Sequence, residues 1–174
     1  MGCMWSLGSI PAVPTKNIHI MQVRQATTED SYRILDLYRE FVDYLEMLSE
    51  RPPIDWTEEQ EESQMTRLVE FLGKPNQGMF VVGNDYETVG FASYTIQSIV
   101  RRDKDYLHIE DFFVSENFRG QSFGKKMFQA IKDFAKSKGI KTIKLNSGTE
   151  LSLAHQFYEK MGGLHTEKTF RFDL

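Results

Sequence analysis

The chain has 174 residues, 40% hydrophobic and 26% charged, which is enough apolar mass for one folded core and too much for a disordered or collagen-like chain. With 21 Lys and Arg against 25 Asp and Glu the formal charge is −4, so nucleic-acid binding by bulk electrostatics is disfavoured and a small cationic partner fits better. Cys3 is the single cysteine and can form no intrachain disulfide, so a reducing, cytoplasmic setting is expected; no stretch approaches the roughly 18 apolar residues of a membrane span.

Residues 1–17 read as an N-terminal extension, a vector remnant or an upstream start, with Met21 opening a natural domain start and residues 18–174 forming a single domain. The opening Met1-Gly2-Cys3-Met4-Trp5-Ser6 also matches an N-myristoylation pattern with a thiol beside it, a weaker reading given how short the pattern is. Ile18, Ile20 and Val23 predict a first strand, and Thr27 or Thr28 a helix N-cap. Ile34, Leu37, Tyr38, Phe41, Leu45 and Leu48 recur at three and four, the stripe of an amphipathic helix that ends at Arg51-Pro52-Pro53. Thr57 and Gln60 form a capping box for a second helix, closed by Gly73 and Pro75.

Three strands are then expected, Met79 to Val82, Val89 to Val100 and Tyr106 to Val114, as an antiparallel meander. Phe123, Met127, Ile131 and Phe134 stripe a third helix ended by Gly139; its lysines 126, 132, 136 and 138 read as a solvated face. A strand from Ile140 to Asn146, a helix from about Glu150 to Met161 stopped by Gly162-Gly163, and a final strand alternating Phe170, Phe172 and Leu174 complete the order βααβββαβαβ. The class is mixed α/β.

Chemistry concentrates between the third predicted meander strand and the helix after it. In Phe118-Arg119-Gly120-Gln121-Ser122-Phe123-Gly124-Lys125-Lys126 a short glycine-bearing loop enters a helix. Such a junction aims unpaired backbone N–H groups and the positive end of the helix dipole at one place, a geometry that binds phosphate. Neither G-x-G-x-x-G nor G-x-x-x-x-G-K-[ST] occurs, so the dinucleotide and nucleotide-triphosphate loops drop out. His19, His108, His155 and His165 read as isolated and no zinc spacing exists, so no metal is expected. Ser147 and Ser152 lack a nucleophile elbow. Glu58, Glu59, Glu61 and Glu62 suit a helix's first turns, while Asp43, Glu46 and Glu50 are candidates to attract a polycation.

The segment Ile109-Glu110-Asp111-Phe112-Phe113-Val114, followed after four residues by Arg119-Gly120-Gln121-Ser122-Phe123-Gly124, resembles the acetyl-CoA motif of the GNAT N-acetyltransferase superfamily. The family pattern is Arg/Gln-x-x-Gly-x-Gly/Ala; Arg119 and Gly124 fit it, and Ser122 stands where the first glycine belongs. A serine keeps the backbone N–H, but a positive φ there would be strained. The wording Glu-Asp-Phe-Phe-Val, with Phe157-Tyr158-Glu159-Lys160 on the last helix, is closest to the diamine (spermidine/spermine) N-acetyltransferases. Two further departures are Leu151, where many members carry Asn, and Gly163, where an aromatic is common.

The resemblance implies a central, mostly antiparallel twisted sheet flanked by helices, acetyl-CoA as cosubstrate and a homodimer. It implies that Phe112, Phe113 and Val114 offer backbone groups to the pantetheine arm and the acetyl carbonyl, and that Arg119, Gly120, Gln121, Ser122, Phe123, Gly124 and Lys125 cradle the pyrophosphate. Glu110 corresponds to the family's acidic strand residue, the candidate base acting through water, and Tyr158 to its acid on the last helix. Flanked by Ile109 and Phe112, Glu110 is expected to be partly desolvated; period two puts Asp111 on the opposite face, so at most one of the pair serves a given site. The implied reaction is direct transfer of acetyl to a primary amine, a polyamine or diamine, with aminoglycosides and protein amines as alternative acceptors. A non-catalytic acyl-CoA-binding module is the reading from a different class, kept open by Ser122 and Leu151.

Overall fold

The computed structural model describes residues 20–48, 56–170 and 172. Strand β1 (Gln22–Gln25) leads into helix α1 (Ser31–Leu48) and helix α2 (Glu58–Gly73). Strands β2 (Gln77–Gly83), β3 (Thr88–Ile99) and β4 (Lys104–Val114) follow, then helix α3 (Phe123–Ser137), strand β5 (Ile143–Leu145) and helix α4 (Ser152–Lys160). The sheet order is β1-β2-β3-β4-β5; β1 to β4 are antiparallel and β5 runs parallel to β4. This is the expected mixed α/β architecture. No described helix is long and apolar enough to cross a membrane.

Each strand divides its side chains between two cores. Val82, Ala92, Leu107 and Ile109 pack with Met127 and Ile131 of α3, and Phe157, Tyr158 and Met161 close the same layer. Val81, Phe91 and Phe113 point the other way, onto Ile34 and Leu37 of α1 and Leu68 of α2. The helix starts follow the sequence: Thr57 Oγ1 accepts from the Gln60 amide while Gln60 Oε1 accepts from the Thr57 amide. Ahead of α1, a single 3₁₀ turn at Thr28–Asp30 is capped by Thr27. The buried Asp30 carboxylate is gripped by both Arg24 guanidinium nitrogens at 2.7 Å, which hold it below the usual carboxylate range.

Some boundaries differ from the expectation. β1 begins at Gln22, because its partners on β2 run only from Gly83 to Phe80. Ile20 is exposed ahead of it, and Ile18, like the whole 1–17 extension, lies outside the described residues. β5 covers three residues of the predicted seven; Ile140 instead tucks under the end of α3, its N–H donating to Ala135. Residues 164–170 carry no strand and Phe170 and Phe172 are exposed, so among the described residues the sheet has five strands; Arg171, Asp173 and Leu174 of the expected sixth lie outside them. Lys132 is not part of a merely solvated face, since its ammonium donates to the Met161 carbonyl at 2.9 Å and so ties α3 to the end of α4.

Candidate active site

The register of β3 on β4 slips at one point: Ser93 faces Asp111, the next residue Tyr94 faces Ile109, and Glu110 has no opposite number. Such a bulge inserts one extra residue and reverses the alternation beyond it. Leu107 and Ile109 face α3 before it, and Phe112 and Val114 do so after it. Glu110 and Asp111 therefore share the α1 face, contrary to the expectation that period two would separate them. Their partners agree: Thr95 Oγ1 donates to Glu110 Oε1 at 2.9 Å and Ser93 Oγ to Asp111 Oδ2 at 2.9 Å, both hydroxyls lying on one side of β3.

Asp111 is the more enclosed of the two. Tyr38, reaching in from α1, donates its hydroxyl to Asp111 Oδ2 at 2.9 Å, and the Asp111 amide donates to Ser93 Oγ at 3.0 Å. Burial and the neighbouring carboxylates push the Tyr38 phenol well above its usual range, so it remains a donor. Oδ1 meets no donor among the described residues. Glu110 is only partly covered: its side chain is 41% exposed, with the His108 imidazole 3.7 Å away. Neither Tyr38 nor Ser93 is signalled by the sequence motif.

β4 and β5 pair only from Leu107 to Ile109 and then separate. Because the Ser115 amide donates to Val89 on β3, and bonded pairs alternate along an antiparallel ladder, Phe112 and Val114 turn their N–H groups outward, to the side β5 has left. Tyr158 stands beside this open edge on α4, in a cluster with Phe112, Phe128 and Phe157 at ring separations of 5.4–6.4 Å. Burial first, and the Asp111 charge second, raise its phenol to about 12. Glycine at 163, in place of an aromatic, has a local reason. The Gly163 amide bonds the Tyr158 carbonyl at 2.8 Å, closing α4 in a Schellman turn, and a Cβ at 163 would lie 2.9 Å from that oxygen.

The loop between β4 and α3 turns through two left-handed residues. Gly120 has φ +76°, and Ser122 sits in the left-handed region at φ 65° with no side-chain cap on the helix. The amides of Phe123, Gly124 and Lys125 thus open the helix without intrahelical partners, and Gly120, Gln121 and Ser122 are exposed before them. The strain anticipated for serine at this position is present. Exchanging Ser122 for Gly is expected to relieve about 1 kcal/mol of left-handed strain and to raise Tm by about 2–4 °C in a thermal melt. A lower Tm would mean that the serine side chain supports the turn.

Other candidates resolve as follows. His155 and His165 are not isolated from each other: their rings lie 6.2 Å apart, and His165 reaches Glu159 at 3.2 Å. They are close because the segment after α4 folds back along it, which spacing alone does not reveal. No group of three metal-binding side chains occurs among the described residues. Asp43 is exposed and Glu50 lies outside the described residues. Between α1 and α2 the acids that meet in a groove are Asp36, Glu61 and Glu62, with Arg39 bridging to Asp36 at 3.1 Å and Glu61 at 2.7 Å.

With this geometry in place, the comparisons give it a family. The pattern of the Acetyltransferase (GNAT) family matches residues 36–163, and the chain belongs to that family. An uncharacterized N-acetyltransferase of Methanocaldococcus jannaschii is 28% identical over 92 residues, a match covering 52% of this chain and 41% of the relative, so less than half of the relative's length is matched. A Trypanosoma brucei acetyltransferase has a similar structure, with TM-score 0.66 at 25% identity over 89% of this chain and 100% of that one. An aminoglycoside N-acetyltransferase solved in complex with CoA superimposes with TM-score 0.71 at 18% identity, covering 93% and 98% of the two chains. That likeness establishes the fold.

Proposed function

We propose that the chain is an acetyl-CoA-dependent N-acetyltransferase whose acceptor is a primary amine of a small polycation, a diamine or polyamine. The observation that carries the acceptor class is the β4 bulge, which sets two carboxylates together on the α1 face of β4, with the Asp111 charge within electrostatic reach of Tyr158 on the other side of the strand. Family membership and the CoA complex of a structural neighbour support the cosubstrate. The residues fit it: the uncapped turn at Ser122 and the first amides of α3 offer donors to a diphosphate, and the outward amides of Phe112 and Val114 border the edge where a thioester arm would run. The same reading keeps the protein cytoplasmic and homodimeric.

Acetyl-CoA supplies an acyl carbon activated as a thioester, and the protein must supply a neutral amine, a place for negative charge and a proton. An alkyl ammonium titrates near pKa 10.4, judged by lysine, so its proton must leave before the nitrogen can attack. Glu110, open to solvent, takes that proton through a water. Asp111, pinned by Tyr38 and Ser93 on one oxygen, turns the other to the ammonium and holds it. Phe112 and Val114 donate their N–H groups to the acyl oxygen as charge builds there, at about 3 kcal/mol per donor. Tyr158, still protonated at neutral pH, gives its proton to the sulfur as the C–S bond breaks, and the second proton, shed by the newly acylated nitrogen to solvent, is balanced by the one that restores the phenol. No covalent enzyme intermediate is needed.

An assay of thiol release from acetyl-CoA against polyamines, aminoglycosides and lysine peptides tests the reading. Turnover is expected with diamines and polyamines. Activity confined to peptides or to aminoglycosides would discard the acceptor assignment, and CoA-induced thermal stabilisation without acetylation of any amine would leave a binding module.

A further inference from the structure

Arg119 opens the loop that enters α3, and its motif position invites the assumption that it grips phosphate. Its side chain is engaged elsewhere. Nε donates to the Val114 carbonyl at 3.0 Å, and the guanidinium lies over the Tyr44 ring at 4.4 Å and near the Phe113 ring at 5.6 Å. The peptide group between Val114 and Ser115 is thereby held on both sides, its oxygen by Arg119 and its N–H by Val89. Nearby, Glu40 of α1 accepts from the Glu116 amide at 3.3 Å. Tyr44 and Glu40, one turn apart on α1, thus both meet the strand end that leads into the cradle.

We infer that Arg119 is a positioning residue, not a phosphate ligand: clamped on Tyr44, it fixes the end of β4 so that Val114's outward N–H keeps its aim. This rests on the proposed thioester site but makes a claim of its own. A flat guanidinium stacked on an aromatic face and bonded through Nε uses the geometry that separates arginine from lysine. A phosphate ligand at this position would instead turn its fork toward the first amides of α3. The inference makes α1, which also brings Tyr38 to Asp111, a common support for the acceptor face and the thioester edge.

The test compares acetyl-CoA with acetyl-pantetheine, which has the same thioester and no diphosphate. Arg119→Met is expected to lower kcat about tenfold with both donors and to leave the ratio of their KM values unchanged. Tyr44→Leu should lower kcat in the same direction and Tyr44→Phe should restore it. A loss seen only with acetyl-CoA, as a raised KM, would make Arg119 a phosphate ligand and overturn the inference. A second readout needs no turnover. In the NMR spectrum the Arg119 Nε–H should be protected from exchange, displaced by the Tyr44 ring current, shifted in Tyr44→Leu, and unmoved by added CoA. An Nε–H that exchanges freely, or that moves on titration while the ring is intact, overturns the clamp. If CoA causes no shift at any residue, the proposed function fails and the protection of Nε–H still decides the clamp.

Discussion

Replacing Tyr158 with Phe is expected to lower kcat by about 100- to 1,000-fold, within the range for loss of a general acid, while leaving the KM for acetyl-CoA close to that of the parent protein. The ring stays in its cluster with Phe112, Phe128 and Phe157, so the packing that seats α4 is retained. Under the mechanism proposed above, what disappears is the proton for the departing sulfur. The pH profile adds a second arm. With its phenol at about 12, Tyr158 stays protonated through the neutral and mildly alkaline range, so any basic limb below pH 10 belongs to another group and should survive the substitution. Stability follows the same shift with a definite sign. A phenol raised from its ordinary value of 10 contributes stability in full below pH 10, and that contribution is lost as the pH rises toward 12. Urea melts from pH 9 to 11 should show the parent protein weakening more than Tyr158→Phe over that window. Unchanged kcat in the variant would remove Tyr158 from the chemistry and leave it a packing residue.

The path from sequence to site was open in some places and closed in others for physical reasons. Helix α2 was readable end to end because its capping box and its stop are local signals, encoded within a few residues of where they act. The turn into α3 was readable for the same reason, including the cost of a serine in a left-handed conformation. The face shared by Glu110 and Asp111 was not. Strict alternation places them apart, and a bulge is decided by pairing with a distant strand. One local trace existed: apolar residues occupy 107 and 109, then 112 and 114, and this change of parity across two acids is what a bulge leaves in a sequence. Tyr38 was visible only as a member of a helical stripe and Tyr44 was not singled out at all; their hydroxyl and ring meet partners some 70 residues away, which no spacing rule reaches. Arg119 was assigned by motif position alone, and the structure shows its side chain turned back onto β4.

Asp111→Asn isolates the charge from the architecture. An asparagine can present its amide oxygen to Tyr38 and Ser93 as the carboxylate Oδ2 does, so the buried hydroxyls keep an acceptor and the fold should hold. The side chain then offers N–H donors to the space where Oδ1 stood, and an ammonium placed there meets no counter-charge. With the reading proposed above, kcat/KM for a diamine should fall about 100-fold, near the lower end of what truncating one member of an enclosed charge pair costs. Most of the loss should appear in the acceptor's KM and little in the KM for acetyl-CoA. Glu110→Gln provides the contrast, with the loss in kcat because a base is removed and binding is retained. Asp111→Ala differs again: it strands the Tyr38 hydroxyl, and a buried donor left unpaired costs about 1–3 kcal/mol, read as a lower Tm than either Asn or parent. Removing the Asp111 charge should also draw the Tyr158 phenol down from about 12, which a ¹³C-tyrosine titration can follow in the folded protein. A diamine KM indifferent to Asp111→Asn would mean that the face built by the bulge holds Tyr38 and nothing else, and the cation would have to be sought elsewhere.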